Sequence, residues 1–127
     1  MKPCLADVNV LLALLVRQHE HHKLALQWFD GLTTDEAGLC RFVQLALIRL
    51  LGNSHIMGDD AVPAGTAWRL IEELLQDERI AFLSEPAGLD RTLPPLLSPG
   101  KSVSDVYVAA FATASARTVV TLDLLNR

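Results

Sequence analysis

The chain has 127 residues, room for one domain, with half of them apolar and a fifth charged, which excludes a disordered or fibrous protein. A formal net charge of −4 argues against a protein that grips nucleic acid through a broad basic surface, but not against one that reaches phosphate through bound metal. No apolar run reaches the ~18 residues of a membrane span. Val8 to Val16 is interrupted by Asn9 and followed by Arg17-Gln18-His19-Glu20 without a small-residue cleavage site, so a cytoplasmic protein with no membrane attachment is expected.

Leu5-Ala6, preceded by Cys4, predicts a short buried strand, and Val8 to Val16 a helix that Asp7 is placed to cap. Lys23 to Phe29 gives a second helical piece with Leu24, Ala25, Trp28 and Phe29 on adjoining faces. Ala37 to Cys40 reads as a strand. Phe42, Leu45, Ile48 and Leu51 recur at three-residue steps, predicting a helix stopped by Gly52-Asn53. Thr66 to Gln76 is an amphipathic helix with Ala67, Leu70, Ile71, Leu74 and Leu75 inward, followed by a strand over Arg79 to Leu83. Glu85 to Gly100 holds four of the six prolines and predicts a loop with one broken helix. Ser104 to Ala116 is nearly all apolar, hence a central helix, and Thr118 to Leu122 is the last strand. Cys4 and Cys40 lack a CxxC spacing and sit in apolar surroundings, as buried free thiols do. Strands alternating with helices predict an α/β fold, a parallel sheet covered on both faces that binds ligands at the carboxyl ends of its strands.

Three aspartates lie at the margins of these apolar runs. Asp7 follows the first strand, Asp105 sits in the first turn of the central helix, and Asp123 closes the last apolar run. Singly, each has a plain reading: Asp7 as an N-cap, Asp105 as a complement to a helix dipole, Asp123 as the start of a turn. Jointly they suggest one acidic pocket, suited to a hard divalent cation that takes oxygen ligands and keeps some water. Such an ion activates water for phosphodiester hydrolysis.

The words around these acids carry a resemblance. Leu5-Ala6-Asp7-Val8-Asn9-Val10-Leu11-Leu12, the His19, His22, Ala25 and Trp28 stretch, Gln44-Leu45 with Arg49-Leu50-Leu51-Gly52-Asn53, Ser104-Asp105-Val106-Tyr107-Val108-Ala109-Ala110-Phe111, and Val120-Thr121-Leu122-Asp123 occur in the order found in PIN-domain ribonucleases. The chain resembles in particular the VapC-type toxins of bacterial toxin–antitoxin pairs. That resemblance implies a three-layer α/β/α PIN-like domain over residues 1–127 with a central parallel sheet. It also implies endonucleolytic cleavage of RNA with Mg²⁺ or Mn²⁺, a VapB-like antitoxin partner and a homodimer. Asp7, Asp105 and Asp123 would be the metal-site residues. The family's second acid falls at Gln44, which offers a carbonyl oxygen or a hydrogen bond but no charge. The chain ends four residues after Asp123, where the family continues through a short helix and another strand, so the domain is expected to be short at its C-terminus.

Asn9 and Thr121 are candidate supporting groups beside the acids, and Arg49 a candidate phosphate or carboxylate partner; strand threonine and helix-face salt bridge are the plainer readings of the last two. His19, His21 and His22 crowd a helix start and His55 stands alone, poor spacing for a metal site. Trp28 and Trp68 read as core or interface anchors, with Trp28 and Leu50 placed to receive a partner helix whose arginine could enter the acidic pocket. Two functions stay open: an RNA endonuclease toxin, favoured by the three aspartates, and a catalytically weakened PIN-like protein acting through partner binding, favoured by Gln44 and the short C-terminus.

Overall fold

The computed structural model describes residues 3–127. Four strands, β1 (Cys4–Ala6), β2 (Ala37–Cys40), β3 (Ile80–Leu83) and β4 (Thr118–Val120), form one sheet in the order β3-β2-β1-β4, all parallel. Helices cover both of its faces. The two inner strands are buried at every residue, which is why Cys4-Leu5-Ala6 and Ala37-Gly38-Leu39-Cys40 read as unbroken apolar runs. The edge strands keep one wet side: Ile80 is buried while Phe82 is exposed, and in β4 only Val120 is buried.

Between the strands run α1 (Val8–Leu15), α2 (His22–Asp30), α3 (Arg41–Leu51), α4 (Ser54–Met57), α5 (Ala64–Leu75), α6 (Leu89–Thr92) and α7 (Val103–Ala114), and α8 (Leu122–Leu125) follows β4. In α1, Val10 to Leu14 are all buried. Leu5, Leu11, Leu39, Leu47, Ile71 and Phe111 are among the fully buried side chains, joining sheet and helices into one core. Burying each such side chain is worth roughly 1.5–3 kcal/mol. Cys4 and Cys40 are buried and unbridged. Burial raises both thiols, that of Cys4 to about 11, which keeps it protonated and inert. Among the described residues no helix is long and apolar enough to cross a membrane.

Three expectations are corrected in detail. The last strand stops at Val120; Thr121 caps α8, its hydroxyl accepting from the Leu124 N–H at 3.1 Å. The run Val119-Val120-Thr121-Leu122 is apolar or β-branched throughout and does not mark that change. In α3 the buried row is Val43, Leu47 and Leu51, at four-residue steps, whereas Phe42 and Leu45 of the three-residue series are exposed. Strict three-residue steps drift across a helix of 3.6 residues per turn, so that series could not hold one face. Third, α4 begins where Asn53, expected only to stop α3, accepts from the His55 N–H at 2.8 Å; the proline-rich loop, by contrast, holds α6 and a 3₁₀ turn at Pro94–Leu96 where one broken helix is expected.

Two features lock the sheet. Gly38 in β2 has no room for a side chain, because a Cβ there would collide with the Leu83 methyl and approach the Arg117 guanidinium to 3.3 Å. Arg117 Nη1 lies within hydrogen-bond reach of the Cys4, Asp35 and Glu36 carbonyls at 3.0, 3.3 and 3.0 Å, clamping the entry to β1 and β2 from the start of β4.

Candidate active site

The carboxyl end of the sheet is where the acids meet. Asp7 follows β1, and its N–H donates to the Val120 carbonyl at 2.9 Å, extending the β1–β4 ladder by one bond. That bond sets the end of β1 beside Thr121. Asp7 is also the N-cap of α1, its Oδ1 accepting from the Val8 N–H at 2.9 Å. Asp105 stands in the first turn of α7, whose cap is Ser102: the Asp105 N–H donates to Ser102 Oγ at 3.3 Å. Asp123 stands in the first turn of α8. The plain readings of Asp7 and Asp105 are thus correct as local structure, whereas Asp123, expected to start a turn, lies in the first turn of a helix that Thr121 caps. They do not exclude a common site, because the three helix starts face one cleft of about 470 Å³ lined by Asp7, Asn9, Asp105, Thr121 and Asp123 over an apolar floor of Val108, Ala109 and Val119.

Electrostatics tie the acids together. Burial pushes the Asp7 carboxyl above the usual carboxylate range, the Val8 amide pulls it back, and the negative charge of Asp105 pushes it up again. A cation between the two would relieve that repulsion. Among the described residues no three Asp, Glu, His or Cys side chains are grouped closely enough to cage an ion by themselves. The donor set is all oxygen and open to solvent at Asp105 and Asp123. It therefore fits a hard cation held by one or two carboxylates with water completing the shell, as Mg²⁺ prefers, and does not fit a zinc cage.

A smaller recess of about 130 Å³ continues the cleft past Asp7 and Asp105 toward Phe42, Ala46 and Arg49 of α3, so Arg49 stands beside the acids. Gln44 does not line either space. Its side chain is 1% exposed, and its Oε1 accepts from Arg41 Nη1. The face of α3 that meets the cleft is carried by Phe42, Val43, Ala46 and Arg49. Sequence reasoning read Phe42 only as part of a helical series and passed over Arg41; the signal available was an arginine–aromatic pair directly after a strand, at the carboxyl end of a parallel sheet.

The histidines lie elsewhere. His19 Nδ1 accepts from the His21 N–H at 3.0 Å, and His22 Nδ1 is 2.8 Å from the Ala13 carbonyl, so these rings organise the turn between α1 and α2. Trp28 packs half-buried on the core, and Trp68 is exposed on α5.

The PIN domain family matches residues 4–124. The chain is 36% identical over 130 residues to ribonuclease VapC41 of Mycobacterium tuberculosis, spanning 94% of this chain and 88% of that protein. It is 30% identical over 125 residues to ribonuclease VapC44 of the same organism, spanning 94% and 84%. The fold is similar to the crystal structure of Mycobacterium tuberculosis VapC20, a sarcin-ricin loop cleaving toxin, with TM-score 0.69, 14% identity, and 95% and 92% of the two chains covered. It is also similar to FitAcB from Neisseria gonorrhoeae, with TM-score 0.59, 21% identity, and 93% and 86% covered. The chain belongs to the PIN-domain family, in its VapC-type ribonuclease branch.

Proposed function

We propose that this chain is a metal-dependent RNA endonuclease and the toxin of a type II toxin–antitoxin pair. The observation that carries the reading is the meeting of Asp7, Asp105 and Asp123 with Asn9 and Thr121 in one cleft at the carboxyl edge of a parallel sheet. The identity to VapC ribonucleases supports it. Asp7 and Asp105 would hold Mg²⁺ or Mn²⁺, with Asp123 as a supporting ligand. A cation held there supplies Lewis acidity to a water and charge neutralisation to a phosphodiester. The protein's own groups do the rest. Asp123, exposed in the first turn of α8, orients the attacking water and receives its proton on a carboxylate oxygen. Asn9 and Thr121 hold water and phosphate oxygens by hydrogen bonds, and Arg49 balances phosphate charge at the edge of the recess. Gln44 acts at one remove, by holding Arg41.

The antitoxin is expected to be VapB-like and to engage the half-buried Trp28 and Leu50 surface, an arginine from it entering the acidic cleft; the working form is expected to be a homodimer. Purified chain incubated with single-stranded RNA should cut it with Mg²⁺ or Mn²⁺, with Mn²⁺ the stronger activator because it binds a given oxygen site at least as well. The Asp7→Asn chain should not cut. An unchanged rate in Asp7→Asn would refute the site. The second reading, a weakened nuclease acting through its partner, is favoured by Gln44 standing where the family's acid is expected. It predicts antitoxin binding with no cleavage under either ion.

A further inference from the structure

Along the carboxyl edge of the sheet, past the acidic cleft, lies a surface that the cleavage chemistry does not use. Arg41 opens α3 immediately after β2. Its guanidinium lies 5.4 Å from the centre of the Trp68 ring on α5 and 4.8 Å from that of Phe82 on the edge strand β3. On its other side, Phe42 lines the recess next to Asp7 and Asp105 and meets the Tyr107 ring of α7 at 5.0 Å. Trp68, Phe82 and Phe42 are 37%, 41% and 37% exposed, unusually open for large rings grouped together. Among the described residues no carboxylate lies within ion-pair distance of Arg41.

We propose that Arg41, Phe42, Trp68 and Phe82 form a stacking platform that holds the single-stranded RNA leading into the cleft, an inference that rests on the endonuclease reading above. The cation without a carboxylate partner and the continuity of Phe42 with the acidic recess decide for this occupant. A net charge of −4 argues against retention of a polyanion by a broad basic surface. Aromatic faces stack on bases whatever the charge balance, and a single unpaired guanidinium among them supplies the phosphate contact and stacks on bases itself. The position also fits. Neighbouring strands lie ~4.8 Å apart, so the step from β1, which Asp7 directly follows, to β3, which carries Phe82, is about 10 Å and lets one strand of RNA touch both. Any base has a π-face, so the platform sets affinity and path, leaving sequence preference to the cleft and recess.

Trp68 makes the test direct. In an Asp7→Asn, Trp28→Phe chain it is the one tryptophan, and bound RNA stays uncut. Titration with a single-stranded oligouridylate should quench its fluorescence saturably. With labelled oligouridylate followed by anisotropy, Trp68→Leu and Phe82→Leu should each weaken binding roughly tenfold, while Trp68→Phe, which keeps a π-face, should stay near the parent. Leucine stays apolar at these positions, and a thermal melt of each variant, with Trp68→Phe as the conservative control, checks that the fold is kept. In the cleaving chain, Trp68→Leu should raise KM and leave kcat nearly unchanged. RNA affinity unaltered by both leucine variants would overturn the platform, as would a loss of antitoxin binding in those variants with RNA affinity intact, which would assign the surface to the protein partner. RNA binding through Trp68 by a chain that cuts no RNA would uphold the platform and defeat the endonuclease reading, so the two can fail separately.

Discussion

At Asp7 one carboxylate serves two purposes, and substitution separates them. Asparagine caps a helix about as well as aspartate, so Asp7→Asn should leave thermal stability within about 0.5 kcal/mol of the parent, while cleavage falls by about 100-fold or more. Asp7→Ala should lose the same activity and about 1 kcal/mol of stability besides, because the Val8 N–H then lacks its acceptor. Thermal melts beside cleavage rates read both numbers. Gln44 gives a sharper contrast. The family resemblance implies that Gln44→Glu returns a metal-binding charge to the site. Its contact with Arg41 implies instead a new ion pair outside the cleft. The expected outcome is therefore unchanged Mn²⁺ affinity by relaxation titration, together with a higher KM for RNA, since Arg41 is then neutralised.

At the scale of elements, Gly38 and the turn into β3 make the firmest claims. Gly38→Ala forces a methyl into Leu83 across the β2–β3 ladder and should cost about 1–3 kcal/mol, read as a lower urea midpoint with unchanged slope. In the turn before β3, Arg79 holds Asp77 through its Nε and Nη2 at 2.9 and 2.8 Å and drapes over the Phe29 ring at 3.9 Å. Those hydrogen bonds draw the Asp77 carboxyl down to about 2. A carboxylate whose folded value lies below its unfolded one stabilises above the unfolded value and loses that contribution as pH falls through the folded one. Asp77→Asn should thus lower stability at neutral pH and flatten the acid limb between about pH 4 and pH 2, so that the variant and parent profiles converge in acid. The element order was legible because buried strands are continuous apolar runs and the helices between them are periodic. What could not be read was local. Nothing in Val120-Thr121-Leu122 says that a hydroxyl will cap a helix there, and the row of α3 facing the core depends on what packs against it. The three aspartates were legible because each stands beside hydrocarbon. Arg41 and its rings were not, since Trp68 and Phe82 come together only through α5 and β3.

For the whole molecule, the charge balance governs how substrate is met. With Arg41 and Arg49 as the cations that line the platform and recess, and no broad basic surface, few counterions should be released on binding. The RNA affinity of the Asp7→Asn chain should then change less than about tenfold between 50 and 200 mM salt, against the orders of magnitude expected for a basic nuclease. A steep salt dependence would mean that phosphate is gripped somewhere else.

The pairing of β1 with β4 carries a consequence in time. Cys4 faces Thr118 and Ala6 faces Val120, so the cleft is built between stretches that lie far apart in the chain, β1 being made well before β4. While the ribosome is making this chain, Asp7 emerges early and waits without its counterparts, and the long-range closure that joins them is the slow kind of contact to form. A half-made copy therefore holds no assembled site with which to cut RNA. The order in which the sheet is laid down is itself a safeguard, in force until β4 has left the ribosome and docked beside β1.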